Sequence, residues 1–110
     1  MKVDKTLISG STMMLLLKLL SEKDMYGYEM IETLRNRSQN VFELKAGTLY
    51  PLLHQMEEKG FLISYEQEVS SKARKYYSIT KEGKKQLEKK AAEWSEYADA
   101  VTKVLTLEVL

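Results

Sequence analysis

The 110-residue chain contains no cysteine, so neither a disulfide nor a thiolate zinc site can form, and its single histidine, His54, rules out a multi-histidine metal centre. No metal and no cofactor is expected. Long apolar runs are also missing: the longest, Met13 to Leu17, is cut by Lys18 before Leu19 and Leu20, far short of the roughly 20 residues that span a bilayer. With no membrane-spanning or secretory segment, no membrane partner is expected and the default address is cytoplasmic. No glycine-rich phosphate loop, nucleophile motif or carboxylate cluster in an evident pocket is present, so no catalytic residue is assigned and an enzyme is not expected. Proline occurs once, at Pro51.

Net charge is nearly absent too, at +1, which taken alone argues against a nucleic-acid partner. Its distribution argues the other way. Residues 72–90 hold eight Lys/Arg against Glu82 and Glu88, a net of +6, whereas residues 1–71 net −2 and residues 91–110 net −3. A local basic patch is the footprint expected for phosphate binding, because counterion release depends on the charges at the contact.

What is present is 44% apolar and 30% charged residues, enough for one domain with its own core. The chain is organised around residues 45–60. Leu49, Leu52, Leu53 and Met56 follow helical spacing and anchor one face of a short helix, leaving Thr48, Tyr50, Pro51, His54 and Gln55 on the other. Pro51 lacks an N–H and is expected in the opening turn, so the helix starts near residues 46–48; Gly60 suits the left-handed position that ends it. The outer face carries hydrogen-bonding side chains suited to base edges and phosphate, although a polar outer face is also the ordinary state of a surface helix.

Before this element, residues 6–21 predict one nearly all-apolar helix, capped at Thr6 or Ser9, that either meets a second chain or forms the centre of the core. Asp24 is expected to cap a second helix running to about Arg37, followed by a polar break at Ser38, Gln39 and Asn40, in the manner of a helix-turn-helix. After Gly60 the period changes from 3.6 to 2, predicting strands over residues 61–66 and 74–80 with a mobile connection over residues 67–73. Such a hairpin is a wing. Thr80 then caps a last helix with Glu82 in its first turn, running to about Leu105. Its apolar positions Leu87, Ala91, Trp94, Ala98, Val101 and Leu105 recur every three or four residues, which predicts packing along a partner helix and so a homodimer; packing along its own domain is the alternative, and a small winged domain is too short to cover about 38 Å of helix. The expected fold class is mainly α with a small β-hairpin, a winged helix-turn-helix plus a long C-terminal dimerisation helix. Residues 1–80 would form the DNA-binding part and residues 81–110 the dimerisation helix, together one compact unit.

Three motifs in order, Tyr26-Gly27-Tyr28-Glu29, then Gly47-Thr48-Leu49-Tyr50-Pro51-Leu52-Leu53 with Glu57 and Gly60, then Arg74-Lys75-Tyr76-Tyr77-Ser78-Ile79-Thr80-Lys81-Glu82-Gly83, resemble the PadR family of bacterial transcription regulators. The resemblance covers about residues 6–105 and implies a dimeric repressor of the shorter subgroup, with a single C-terminal helix. The wing departs from many relatives in being poorer in arginine, reading Ser70-Ser71-Lys72-Ala73-Arg74-Lys75 after Glu66 and Glu68.

The function expected is binding of palindromic double-stranded DNA, relieved by a ligand. Tyr50, His54 and Gln55 would approach base edges, with Tyr50 equally suited to a phosphate. Thr48 and the helix start would hold phosphate, with Pro51 on the same DNA-binding face; Tyr26 and Tyr28 would support the neighbouring backbone; Lys72, Arg74 and Lys75 would serve the wing. For the tyrosines, core packing with the hydroxyl at the surface is the alternative. Trp94, with Leu16 and Ala98 beside it, either fills the dimer seam or walls a site for a small planar aromatic effector, as the resemblance to PadR members implies. A winged-helix adaptor that binds protein and no DNA is the competing function, and the basic segment speaks against it.

Overall fold

The computed structural model describes residues 3–106; the outermost residues of the two expected parts, 1–2 and 107–110, lie outside the described residues. In chain order the elements are α1 (Lys5–Ser9), α2 (Thr12–Glu22), β1 (Met25–Tyr26), α3 (Gly27–Arg37), α4 (Ala46–Glu58), β2 (Leu62–Val69), β3 (Lys72–Ile79) and α5 (Lys81–Leu105). The three strands form an antiparallel sheet in the order β1-β3-β2. This is a winged helix-turn-helix with a long C-terminal helix, as the patterning predicts.

The core forms where α2, α3 and α4 turn their apolar faces together under the sheet. Leu16, Leu17, Leu19 and Leu20 of α2 meet Met30 and Leu34, then Leu49, Leu53 and Met56, with Leu62 and Tyr77 closing the layer. Of the two readings of the N-terminal helix, α2 is therefore the central core helix. It does not begin at residue 6. The chain breaks at Gly10 and Ser11, and the separate first turn is capped by Asp4, whose carboxylate accepts from the Thr6 N–H at 2.8 Å.

Three other expectations need correcting. Asp24 does not cap α3, because Met25 and Tyr26 intervene as β1 and pair with Tyr77 and Tyr76 of β3; sheet pairing outcompetes the local cap. Pro51 is the sixth residue of α4, well past its opening turn. The bonds from the Thr48 and Leu49 N–H groups to the Lys45 carbonyl, both 2.9 Å, start the helix upstream of it. The missing N–H would have served Gly47, which is exposed, so water can take its place there. Finally, residues 67–73 are mostly strand: the hairpin turns at Ser70 and Ser71 alone, with φ of 52° and 67°, the left-handed pair that a two-residue type I′ turn requires.

Both ends of the wing unit are closed as expected. Gly60 has a φ of 80°, and the Phe61 N–H donates to the Met56 carbonyl at 2.9 Å, completing a Schellman C-cap on α4. Thr80 Oγ1 accepts from the Gly83 N–H at 3.0 Å and caps α5. Over its 25 residues, about 37 Å at 1.5 Å each, α5 packs closely against the domain at its beginning and only loosely beyond Leu87, where Ala98 alone is half-buried. Leu87 is half-buried, while Trp94, Val101 and Leu105 on the same face are exposed.

Candidate nucleic-acid interface

Helix α4 presents the two faces its spacing predicts. Leu49, Leu53 and Met56 are fully buried, and Thr48, Tyr50, Pro51, His54 and Gln55 are exposed together. Within this row the side chains are not equally free. His54 Nε2 lies 3.0 Å from Glu58 Oε1 one turn further on, an ion pair when the imidazole is protonated. The Tyr50 ring folds back over the start of α3: a Cβ built on Gly27 would collide with the Tyr50 hydroxyl and come within 2.7 Å of Cζ. Gly27 is thus needed for a close approach, and Tyr50 keeps α3 and α4 in register while leaving its edge exposed. Tyr28, one residue into α3, is exposed as well.

The wing separates the cations that the sequence placed together. Successive residues of a strand point to opposite faces, so Arg74 and Lys75 cannot share a surface. The Arg74 guanidinium stacks 4.3 Å from the centre of the Tyr26 ring on the outer face of the sheet. Lys75 lies on the inner face, its Nζ 5.6 Å from the Tyr77 ring centre and 3.9 Å from Glu57 Oε1. Lys72 follows the turn and is exposed at the wing tip. The remaining basic residues of the 72–90 segment, Lys81, Lys84, Lys85, Lys89 and Lys90, lie on α5, and Lys85 and Lys90 are within 3.6 and 3.2 Å of Glu82 and Glu93. Strand β3 leads away from the tip at about 3.3 Å per residue, so these lysines start roughly 30 Å from Lys72. One basic run in sequence is two basic regions in space.

Residues without an assigned DNA role join the outer and inner faces of the wing to the helices. Tyr65 stacks on Tyr76 at 5.8 Å, Tyr76 meets Tyr26 edge-on at 5.5 Å, and the Tyr65 hydroxyl donates to Asp24 Oδ2 at 2.6 Å. That hydrogen bond to a carboxylate holds the Tyr65 phenol above its ordinary pKa. On the other side Ser64 Oγ donates to Glu57 Oε2 at 3.0 Å. Burial, with the Glu57 charge nearby, raises the Tyr77 phenol as well. The alternative reading of the tyrosines as packing residues fits Tyr26 and Tyr76, which are half-buried in this stack, and does not fit the exposed Tyr28.

Residues 16–89 match the family described as the transcriptional regulator PadR-like family. The chain belongs to it. A transcriptional regulator from Clostridium thermocellum is 34% identical, with a TM-score of 0.85 over 92% of this chain and 99% of that one. A PadR family transcriptional regulator from Eggerthella lenta is 36% identical, with a TM-score of 0.82 over 94% of this chain and 88% of that one. An uncharacterized protein of Lysinibacillus sphaericus is 37% identical over 100 residues, 90% of this chain and 92% of its own length. Membership of the PadR-like family makes the chain a transcriptional regulator, and among the described residues no helix is long and apolar enough to cross a membrane.

In this PadR-like chain Trp94 is 53% exposed and walls a solvent-open apolar cleft of about 310 Å³ with Leu15, Phe42, Leu87 and Ala91; Lys18 and Ser11 stand at its margin. Leu16 does not reach it. Its side chain is fully enclosed in the core, on the opposite side of α2 from the cleft-facing Leu15 and Lys18. Ala98 lies one turn beyond Trp94, in a wider groove where α5 passes Leu7 and Ile8 of α1. All the polar residues of the outer α4 face and wing tip are remote in sequence from this cleft, but Phe42 belongs to the segment that leads into α4.

Proposed function

We propose that this regulator is a dimeric repressor that binds a palindromic operator in double-stranded DNA and releases it when a small planar aromatic compound occupies the Trp94 cleft. The observation that carries the DNA reading is the outer face of α4, where Thr48, Tyr50, Pro51, His54 and Gln55 are all exposed on a helix whose other face is sealed into the core. Placed in a major groove, Gln55 and His54 reach base edges, Thr48 and the helix start take phosphate, and Tyr50 and Tyr28 take backbone beside them. Lys72 at the wing tip is the freest of the wing cations and serves the adjacent phosphates; Arg74, resting on Tyr26, and Lys75, drawn toward Glu57, contribute less directly.

Residues 1–80 carry DNA binding and residues 81–110 dimerisation in this reading. Exposed Trp94, Tyr97, Val101, Val104 and Leu105 make the end of α5 more apolar than a solvated helix needs to be, and a second copy of the chain would cover it. Trp94 then faces the dimer centre. A gel shift with fragments selected from the organism's own DNA, repeated over a salt series, tests the central claim. Salt-steep, sequence-selective retardation supports it, and no retardation of any fragment refutes it. For the effector, planar cationic dyes are titrated while Trp94 fluorescence and operator binding are followed together. Dyes that fail to quench Trp94, or that bind Trp94→Ala equally well, return Trp94 to the role of a seam residue.

A further inference from the structure

The wing is supported only at its root. Strand β1 pairs with β3 at Tyr76 and Tyr77 alone, and outward from there Glu66, Gln67, Glu68 and Val69 pair with Lys75, Arg74, Ala73 and Lys72 as a bare two-stranded ribbon. Such a ribbon is marginal by itself, and residues 66–69 and 72–73 are all exposed, so beyond Arg74 on the Tyr26 ring and Lys75 near Glu57 no packing fixes its direction. Whatever sets the angle of the arm acts where it leaves the body.

At that place the outer face holds one ring from each strand, Tyr26, Tyr76 and Tyr65 in spatial order. Stacked rings fix a separation but slide and tilt at little cost. A directional contact is needed to stop them, and the hydrogen bond from the Tyr65 hydroxyl to Asp24 Oδ2, 2.6 Å long and spanning 41 residues of sequence, is one. It crosses from β2, the strand furthest from β1, to the connection between α2 and β1, and so bolts the free edge of the wing to the helical body. With β1 between it and α3, the Asp24 carboxylate is not taken up as a helix cap and is left for Tyr65.

We propose that Asp24 and Tyr65 are a positioning pair that fixes the angle of the wing relative to α4 and thereby sets DNA affinity. Neither residue touches DNA; both act through Lys72 at the tip. The second half of the proposal rests on the DNA-binding reading, and the first half does not.

Because the chain contains no cysteine, Glu68→Cys, near the tip on β2, takes a single nitroxide label whose mobility reports the wing in the free protein. Tyr65→Phe keeps the ring and its stack and removes only the donor; Asp24→Asn weakens the acceptor from the other side. Both substitutions are expected to raise label mobility with the urea midpoint little changed, and to weaken operator binding about three- to tenfold, the range for one ordinary, partly solvated hydrogen bond. The loss should not add to that of Lys72→Ala, and the salt slope should fall toward that of Lys72→Ala. Unchanged mobility in Tyr65→Phe overturns the clamp. Raised mobility with parental affinity and salt slope overturns its link to DNA, as does full additivity with Lys72→Ala. If the unsubstituted protein bound no DNA, the DNA-binding reading itself would fall, while the mobility comparison would still decide whether the pair holds the wing.

Discussion

Replacing Gly83 with alanine sets two effects against each other, and the structure decides the sign. In a helix interior alanine is favoured over glycine by about 1 kcal/mol, so propensity alone predicts a more stable protein. Gly83 is buried, however, and a Cβ there would collide with the Phe61 carbonyl oxygen and lie 2.8 Å from Ile79 Cγ1. The oxygen cannot retreat freely, since it accepts from the Thr80 N–H at 3.0 Å and sits just beyond the C-cap of α4. Relief requires α5 to lift from its seat, at about 1 to 3 kcal/mol for overpacking and about 1 kcal/mol for a weakened hydrogen bond. Set against the propensity gain, the net expectation is a loss of about 1 to 3 kcal/mol. Urea unfolding at fixed protein concentration, which keeps the comparison valid if the proposed dimer forms, measures it. Gly47→Ala is the control: it lies in the first turn of α4 with nothing within 4 Å of the added carbon, so it should be neutral or gain about 0.5 kcal/mol. A Gly83→Ala protein as stable as its parent would refute the steric account.

Gly27→Ala meets a side chain where Gly83→Ala meets backbone, so Tyr50 should swing away from α3 with a stability loss of about 1 kcal/mol or less and a clear drop in operator affinity, read by urea midpoint and gel shift on one preparation. Gln55→Ala should relax base preference at one operator position and cost about 1 to 3 kcal/mol if its contact is bidentate, whereas Lys72→Ala should weaken all sequences alike and lower the salt slope by about one unit; equal losses on operator and random DNA would remove Gln55 from base readout. Val101→Glu with Leu105→Glu places two charges on the apolar end of α5 and should give a monomeric or unfolded protein, so a stable dimer in sedimentation would show that this face is not the interface.

The elements that were legible in the sequence are those fixed by local chemistry. The two faces of α4, the left-handed Gly60 and the Thr80 cap each follow from a few neighbouring residues, and each stands where the spacing predicts. The wing was misread at one point with consequences along its length. Ser70 and Ser71 both adopt positive φ although Asn and Gly are the usual residues of such a turn, so the register was not readable, and with it the pairing of Tyr65 with Tyr76 was lost. Strand β1 is two residues long, too short to show a period. That Arg74 and Lys75 face opposite ways follows from strand alternation alone. Leu16 shows a different limit: over residues 13–20 Lys18 is the one polar residue, too little contrast for periodicity to say which leucine faces the core and which the cleft.

Thr80 joins the two helices that matter most. Its Oγ1 donates to the Gly60 carbonyl at 2.6 Å while accepting from Gly83, and its N–H donates to the Phe61 carbonyl, so the end of α4 and the start of α5 meet in one node, packed tight by the absence of a side chain at Gly83. With α5 about 37 Å long, a displacement of about 3 Å at its far end, if the helix stays rigid, is a rotation of about 5° at the node. In a dimer paired through α5, as proposed, a rearrangement of the two helices would reach α4 at this node as a turn of the surface carrying His54 and Gln55, through the Thr80 hydrogen bonds and no longer relay of side chains.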